Sequence, residues 1–176
     1  SGGQAQRVAI ARSVILKPKL IIADEPVSML DVSIRASILN LFMKLKEQMR
    51  LTYVFILHDL ALAKHISDRI VIMYLGKIME IGSRDEIFSN PLHPYTIALL
   101  SAVPAPTPKP RRRIFIPKGE IPNPIHPPSG CRFHPRCPLA GNKCKTEEPP
   151  LVKIGENHYV ACHKFSEVRR FFGLCN

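Results

Sequence analysis

The 176 residues contain no run of about 18 consecutive apolar side chains, which excludes a membrane-spanning helix within this sequence. The N-terminus lacks the charged-then-apolar pattern of a secretory signal. There is no internal repeat, and no G-x-x-x-x-G-K-[ST]: the only Gly-Lys pair, Gly76-Lys77, has no glycine five residues before it. Cysteine is missing until Cys131, and only 2 of the 17 prolines lie outside Pro91–Pro150. These absences lead us to expect a soluble, cytosolic chain. Hydrophobic residues make up 45% and mean hydropathy is +0.01, enough apolar material for a core.

Charge divides the sequence at the same place as proline and cysteine. The first ninety residues carry 12 Lys and Arg against 9 Asp and Glu; residues 91–176 carry 13 against 5. Composition thus predicts a boundary near residue 90. A basic second half suits an anionic partner or a solvated basic face, and Arg111-Arg112-Arg113 alone does not decide between them.

The first half reads as α/β. The apolar run 19–24, ending in Asp24, predicts a buried parallel strand with its acid at the carboxyl end, where such folds bind ligands. Asp31 is placed to cap a helix with apolar positions Ile34, Ile38, Leu41, Phe42, Leu45 and Met49. Residues 52–57 predict a second buried strand closed by His58, and 59–66 a short helix. Residues 69–82 predict two strands around a Leu75-Gly76 turn, an antiparallel edge on the sheet. Further helices are expected at 94–103 and from Lys164 to Phe172. Between them, prolines at 104, 106, 108, 110, 117, 122, 124, 127 and 128 leave extended or turn structure.

Four short elements occur in order: "SGGQ" (1–4), "LIIADEP" (20–26), "SMLD" (28–31) and His58 after a strand. Each alone has an ordinary structural explanation: a loop, a cap, a surface charge or a structural histidine. Together, in this order and spacing, they resemble the signature motif, Walker B strand, D-loop and H-loop of ABC-transporter ATP-binding subunits, over essentially all of residues 1–90. The resemblance implies an ATP and Mg²⁺ site. Consecutive glycines before a helix let backbone N–H groups approach a phosphate, and Ser1 adds a hydroxyl donor beside Gly2, Gly3 and Gln4. Asp24 suits Mg²⁺ held mostly through water. Glu25 is implied to orient the attacking water and His58 to contact the γ-phosphate, while Asp31 shapes the dimer contact.

In that family the nucleotide lies between the phosphate loop of one subunit and the signature motif of the other. Without a phosphate loop, Asp24, Glu25 and His58 face a pocket lacking its cradle, and Ser1–Gln4 serve a nucleotide held by a partner. The expectation is a fragment of a longer subunit that does not hydrolyse ATP alone. With its neighbouring strand missing, "LIIAD" becomes an exposed apolar edge.

In the second half, "HPYTIALLSAVPAP" (93–106), "GEIPNPIHPPSGCRFHPRCPLA" (119–140) and "HYVACH" (158–163) resemble the C-terminal extension of oligopeptide and dipeptide importers' ATP-binding subunits. Cys131, Cys137, Cys144 and Cys162 are separated by 5, 6 and 17 residues. Disulfides do not suit a cytosolic setting; zinc favours tighter knuckles than these; unliganded packing thiols are a further reading. The resemblance implies a [4Fe–4S] cluster on the four cysteines, with Zn²⁺ as the alternative. Either metal would staple a proline-rich segment with few core residues. Cys175 fits no spacing, and His134 and His163 read as surface or outer groups.

The predicted fold class is therefore α/β: the C-terminal part of an ABC nucleotide-binding domain (1–90), a parallel sheet with an antiparallel hairpin, plus a small metal-stapled Pro/Cys-rich extension (91–176). The implied function is the ATP-hydrolysing subunit of a peptide importer, peripheral on the cytoplasmic face of the membrane. Its implied partners are a second, head-to-tail ATPase subunit and the membrane permease. The competing readings are a metal-bound regulatory or assembly module and a nucleic-acid-associated ABC ATPase. The tail lacks interleaved aromatics for base stacking, so no direct nucleic-acid contact is expected.

Overall fold

The run at 20–24 forms β1 (Leu20–Asp24), and 52–56 forms β2 (Thr52–Ile56), hydrogen-bonded in parallel with Asp24 opposite Ile56. These and all further features belong to a computed structural model that describes residues 2–103 and 115–174. Ser1, the prolines at 104–110, Arg111–Arg113 and Cys175 lie outside the described residues. The chain divides into two compact units, Ser1–Ile66 and Ser67–Asn176.

In the first unit, helix α1 (Gly2–Val14) precedes β1, α2 (Val32–Met49) connects β1 to β2, and α3 (Leu60–Ile66) follows β2. Asp31 caps α2 as its spacing predicts: its carboxylate accepts from the Ile34 N–H at 3.0 Å and the Ser33 hydroxyl at 2.7 Å. The helix ends at Arg50, whose left-handed conformation (φ 53°) lets its N–H reach the Lys46 carbonyl. Ile10, Ala23, Val27, Ile38 and Phe42 form the core. The Phe42 ring stands edge-on to both Tyr53 and Phe55, each 5.3 Å away.

Two expectations need correction. The strands are covered on one face only, because α2 packs over Ala23, Tyr53 and Phe55 while Leu20, Ile22, Val54 and Ile56 stay 46–66% exposed. An apolar run reads as buried on both faces whether or not a second layer covers it. The glycines, too, do not precede the helix; Gly2 and Gly3 lie in its first turn.

The hairpin is not an edge of the β1–β2 sheet. β3 (Arg69–Tyr74) and β4 (Lys77–Ser83) belong to a second, antiparallel sheet of order β3-β4-β6-β5, completed by β5 (Val152–Lys153) and β6 (Tyr159–Val160). Leu75 and Gly76 turn the hairpin with φ of 45° and 76°. Strands from either side of residue 90 thus share one sheet. Helix α4 (Arg84–Ser89) follows β4, and α5 (Pro94–Ala102) has His93 as its N-cap. Beyond 115 come a 3₁₀ turn at His134–Arg136, α6 (Asn142–Thr146) and α7 (Phe165–Phe171).

Side chains within the described protein fasten this second unit. Glu80, fully buried on β4, accepts from the Leu92 and His93 N–H groups at 2.7 and 3.0 Å and pairs with His158 Nε2 at 2.7 Å. Phe133 is fully buried against Tyr74, Tyr95 and His93. Val168 and Phe172 pack with Ile97, Phe115 and Leu139. Among the described residues no group of three or more His, Cys, Asp or Glu side chains is arranged to hold a metal ion. Strand pairing and buried aromatics hold the segment in this arrangement.

Candidate functional site

The parallel register carries two polar groups to the same end of the β1–β2 sheet. Asp24 ends β1, exposed, and Glu25 follows in a left-handed conformation, φ 44°, unusual for a residue with a Cβ. The Glu25 N–H donates to the Ile56 carbonyl at 3.1 Å, so the residue turns aside directly beyond the last strand pair. His58, two residues past β2, brings Nε2 to 2.5 Å from Glu25 Oε1. Both side chains keep substantial exposure, 78% for His58 and 41% for Glu25, so solvent screens their pairing.

A cavity of about 220 Å³ opens beside this pair, lined also by Val27, Ser28, Arg35, Leu57, Asp59 and Leu62. Ser28 donates its hydroxyl to the Glu25 carbonyl at 3.1 Å, tying the 28–31 turn to the glutamate. Arg35 donates to the Leu30 carbonyl at 3.0 Å from the other side, and its Nε, buried, has no acceptor. Asp31 is fully exposed; the Ile34 N–H and Ser33 hydroxyl hold its carboxyl below the usual range, so it stays ionised. Asp59 caps α3 through the Ala61 and Leu62 N–H groups at 2.8 and 3.2 Å.

Of the residues singled out in the sequence, Glu25 and His58 are in direct contact, with Asp24 and Ser28–Asp31 in the adjoining turns. Gly2, Gly3 and Gln4 form the start of α1, whose first-turn N–H groups have no helical acceptors and suit an anion. Sequence reasoning missed Arg35 and Asp59. Their signal was positional, since each follows a recognised element by one to four residues, but an arginine inside a helix pattern reads as solvent-facing.

The four tail cysteines are free: Cys131 and Cys144 buried, Cys137 and Cys162 half-buried. Burial, and after it the neighbouring thiols, pushes Cys137 up to about 11 and Cys162 up to about 12, and Cys131 also rises. Cys131, Cys137 and Cys144 all add to the rise of Cys162, so the three lie within electrostatic reach of it. Backbone N–H groups a short way along the chain point at the sulfurs: Phe133 and His134 at Cys131, Leu139 and Ala140 at Cys137. The Lys164 N–H reaches Cys162 Sγ at 3.4 Å. Such donors favour thiolate over thiol. His134 and His163 each bond a backbone carbonyl, those of Cys131 and Glu147, at 3.0 Å.

Comparison with known proteins follows this geometry. Residues 79–144 match the family described as oligopeptide/dipeptide transporter, C-terminal region, and residues 1–28 match the ABC transporter family. The chain is 55% identical over 164 residues to a probable peptide ABC transporter ATP-binding protein of Sinorhizobium fredii, covering 93% of this chain and 46% of that protein. It is 54% identical over 166 residues to an oligopeptide transport ATP-binding protein of Escherichia coli (93% and 49%). A di/tripeptide transport ATP-binding protein of Pseudomonas aeruginosa is 53% identical over 163 residues (93% and 50%). The chain thus spans about half the length of the curated relatives it matches. A crystal structure of a nucleotide-free ATP-binding cassette from an ABC transporter superposes with a TM-score of 0.50 at 29% identity, over 56% of this chain and 39% of that one.

Proposed function

Since the chain belongs to the family of oligopeptide and dipeptide ABC-transporter ATP-binding proteins, we propose that it supplies half of each composite nucleotide site in a peptide importer's ATPase. The observation that carries this reading is the Glu25–His58 contact at the carboxyl ends of two paired parallel strands, beside a cavity and the 28–31 turn.

Each residue has a role set by its position. Asp24, exposed where β1 ends, is placed to hold Mg²⁺ through water. Glu25, turned aside by its left-handed backbone, orients and polarises an attacking water. His58 fixes that carboxylate in the resting arrangement and is released from it to contact a γ-phosphate. The start of α1, with Ser1, Gly2, Gly3 and Gln4, offers N–H groups and dipole to a nucleotide cradled by a second, head-to-tail ATPase subunit. Asp31 lies at that contact. These residues bear on the γ-phosphate, Mg²⁺ and the attacking water; the phosphate-loop lysine is not among them. Its other partners are permease subunits at the cytoplasmic face of the membrane. No helix among the described residues is long and apolar enough to cross that membrane.

The finer cofactor reading concerns Cys131, Cys137, Cys144 and Cys162 as ligands of a [4Fe–4S] cluster, with zinc the alternative. The N–H groups aimed at their sulfurs and the mutual reach of the thiols support thiolate ligation. When bound, the cluster would supply folding energy and a one-electron centre.

Photo-crosslinking with an azido-ATP tests the half-site. The expected result is no labelling of this chain alone, and labelling confined to residues 1–7 when a phosphate-loop-bearing subunit of a peptide importer is added. Labelling of the isolated chain, or none in the mixture, contradicts the proposal.

A further inference from the structure

The glycine pair at the start of α1 has a neighbour that phosphate binding does not explain. A Cβ on Gly3 would sit 2.6 Å from Ile34 Cγ2, a methyl on a β-branched side chain in the first turn of α2. Isoleucine in a helix is confined essentially to one χ1 rotamer, so that methyl cannot swing away. Gly2 differs: its Cβ would meet only the tip of Leu30, at 3.3 Å. One turn further along α1, Arg7 Nη2 donates to Ser37 Oγ of α2 at 2.8 Å. Beyond that, Ile10 packs into the core with Val27 and Ile38. The first two turns of α1 therefore lie against the segment that carries the 28–31 turn. That turn is itself pinned to the start of α2 by the Asp31 cap and by Arg35 on the Leu30 carbonyl.

We infer that Ile34, Ser37 and Arg7 are positioning residues that fasten the glycine turn of α1 to the Ser28–Asp31 turn, so that the two move as one piece. On the functional reading above, on which the consequence rests, the glycine turn meets a partner-held nucleotide. A displacement there then passes directly to Met29, 96% exposed at the tip of the 28–31 turn, and through Ser28 to the Glu25 carbonyl. The glycine at position 3 is required for close packing in this chain as well as for close approach of a phosphate.

Amide hydrogen exchange of the full chain, without nucleotide, tests the fastening. In Gly3→Ala we expect the amides of 29–34 to exchange at least tenfold faster, with those of 52–66 unchanged. Adding Ile34→Ala restores the wild-type rate, because space replaces the clash, and Gly2→Ala leaves the turn's exchange as it was. Unchanged exchange at 29–34 in Gly3→Ala, or no restoration in the double variant, overturns the inference. If Gly3→Ala fails to fold, Ser37→Ala and Arg7→Gln decide, since each removes one exposed hydrogen bond. Local acceleration at 28–31 supports the fastening and its absence refutes it. Because no nucleotide is present, success here combined with failed crosslinking would refute the half-site while leaving the mechanical link standing.

Discussion

Glu80 shows how much one buried carboxylate can organise. Two backbone N–H groups and an imidazole depend on its two oxygens, and all three belong to buried residues. Replacing Glu80 with Ala leaves all of them unpaired in the interior, a loss of about 3–5 kcal/mol by analogy with broken buried pairs. Urea unfolding of the second unit checks this; a loss below about 1 kcal/mol would mean that the network relaxes around the vacancy. Glu80 was not legible in the sequence, because a glutamate in an alternating strand reads as solvent-facing. Its partners lie 12, 13 and 78 residues away. Glu25 and His58, by contrast, were legible as a pair, since both end apolar runs and parallel pairing brings such ends together. The left-handed backbone at Glu25 was not legible, because it answers to the local turn and not to side-chain type.

At the scale of elements, length and capping decide what could be read. α2 was plain from Asp31 and a long apolar stripe, and its bounds fall where the cap predicts. Asp31's folded-state value lies below 3.8, so its contribution is present above that pH and is lost as pH falls through the folded value. α4 was missed although Ser83 and Glu86 form a complete capping box, because six residues give no periodicity to detect. Ser83→Ala should lower stability by about 1 kcal/mol, read as a shift in denaturation midpoint; no shift would show that α4 is held by Ile87 alone. β5 and β6, two residues each, carry no alternation and owe their existence to pairing with β4. The same short strands explain why the hairpin's sheet was misassigned to the β1–β2 pair.

Across the whole molecule, the first unit presents an uncovered apolar sheet face and the second a buried polar and thiol-rich interior. The thiols predict a pH signature for the metal-free chain. The folded values of Cys131, Cys137 and Cys162 stand above the ordinary 9.0, near 11 for Cys137 and 12 for Cys162, so burial stabilises the neutral form. That stability is complete below pH 9 and disappears as pH rises towards 11–12, because the unfolded chain ionises first. Melting temperature should fall over that window, less steeply in Cys162→Ser, and the fall should vanish after anaerobic reconstitution with iron and sulfide. Identical slopes in all three samples would contradict thiol ligation. The first unit's logic is separate: on the proposed reading Glu25 orients water and residues 1–4 meet a partner's nucleotide. Steady-state ATP turnover by the purified chain, alone and mixed with a phosphate-loop-bearing subunit of a peptide importer, tests this most directly. The half-site account predicts turnover in the mixture that falls at least about a hundredfold with Ser1→Ala, because that hydroxyl serves the partner-held nucleotide, and that stays the same with Glu25→Gln, because Glu25 faces the other half-site. Turnover in the mixture that is indifferent to Ser1→Ala, or that falls with Glu25→Gln, would contradict it.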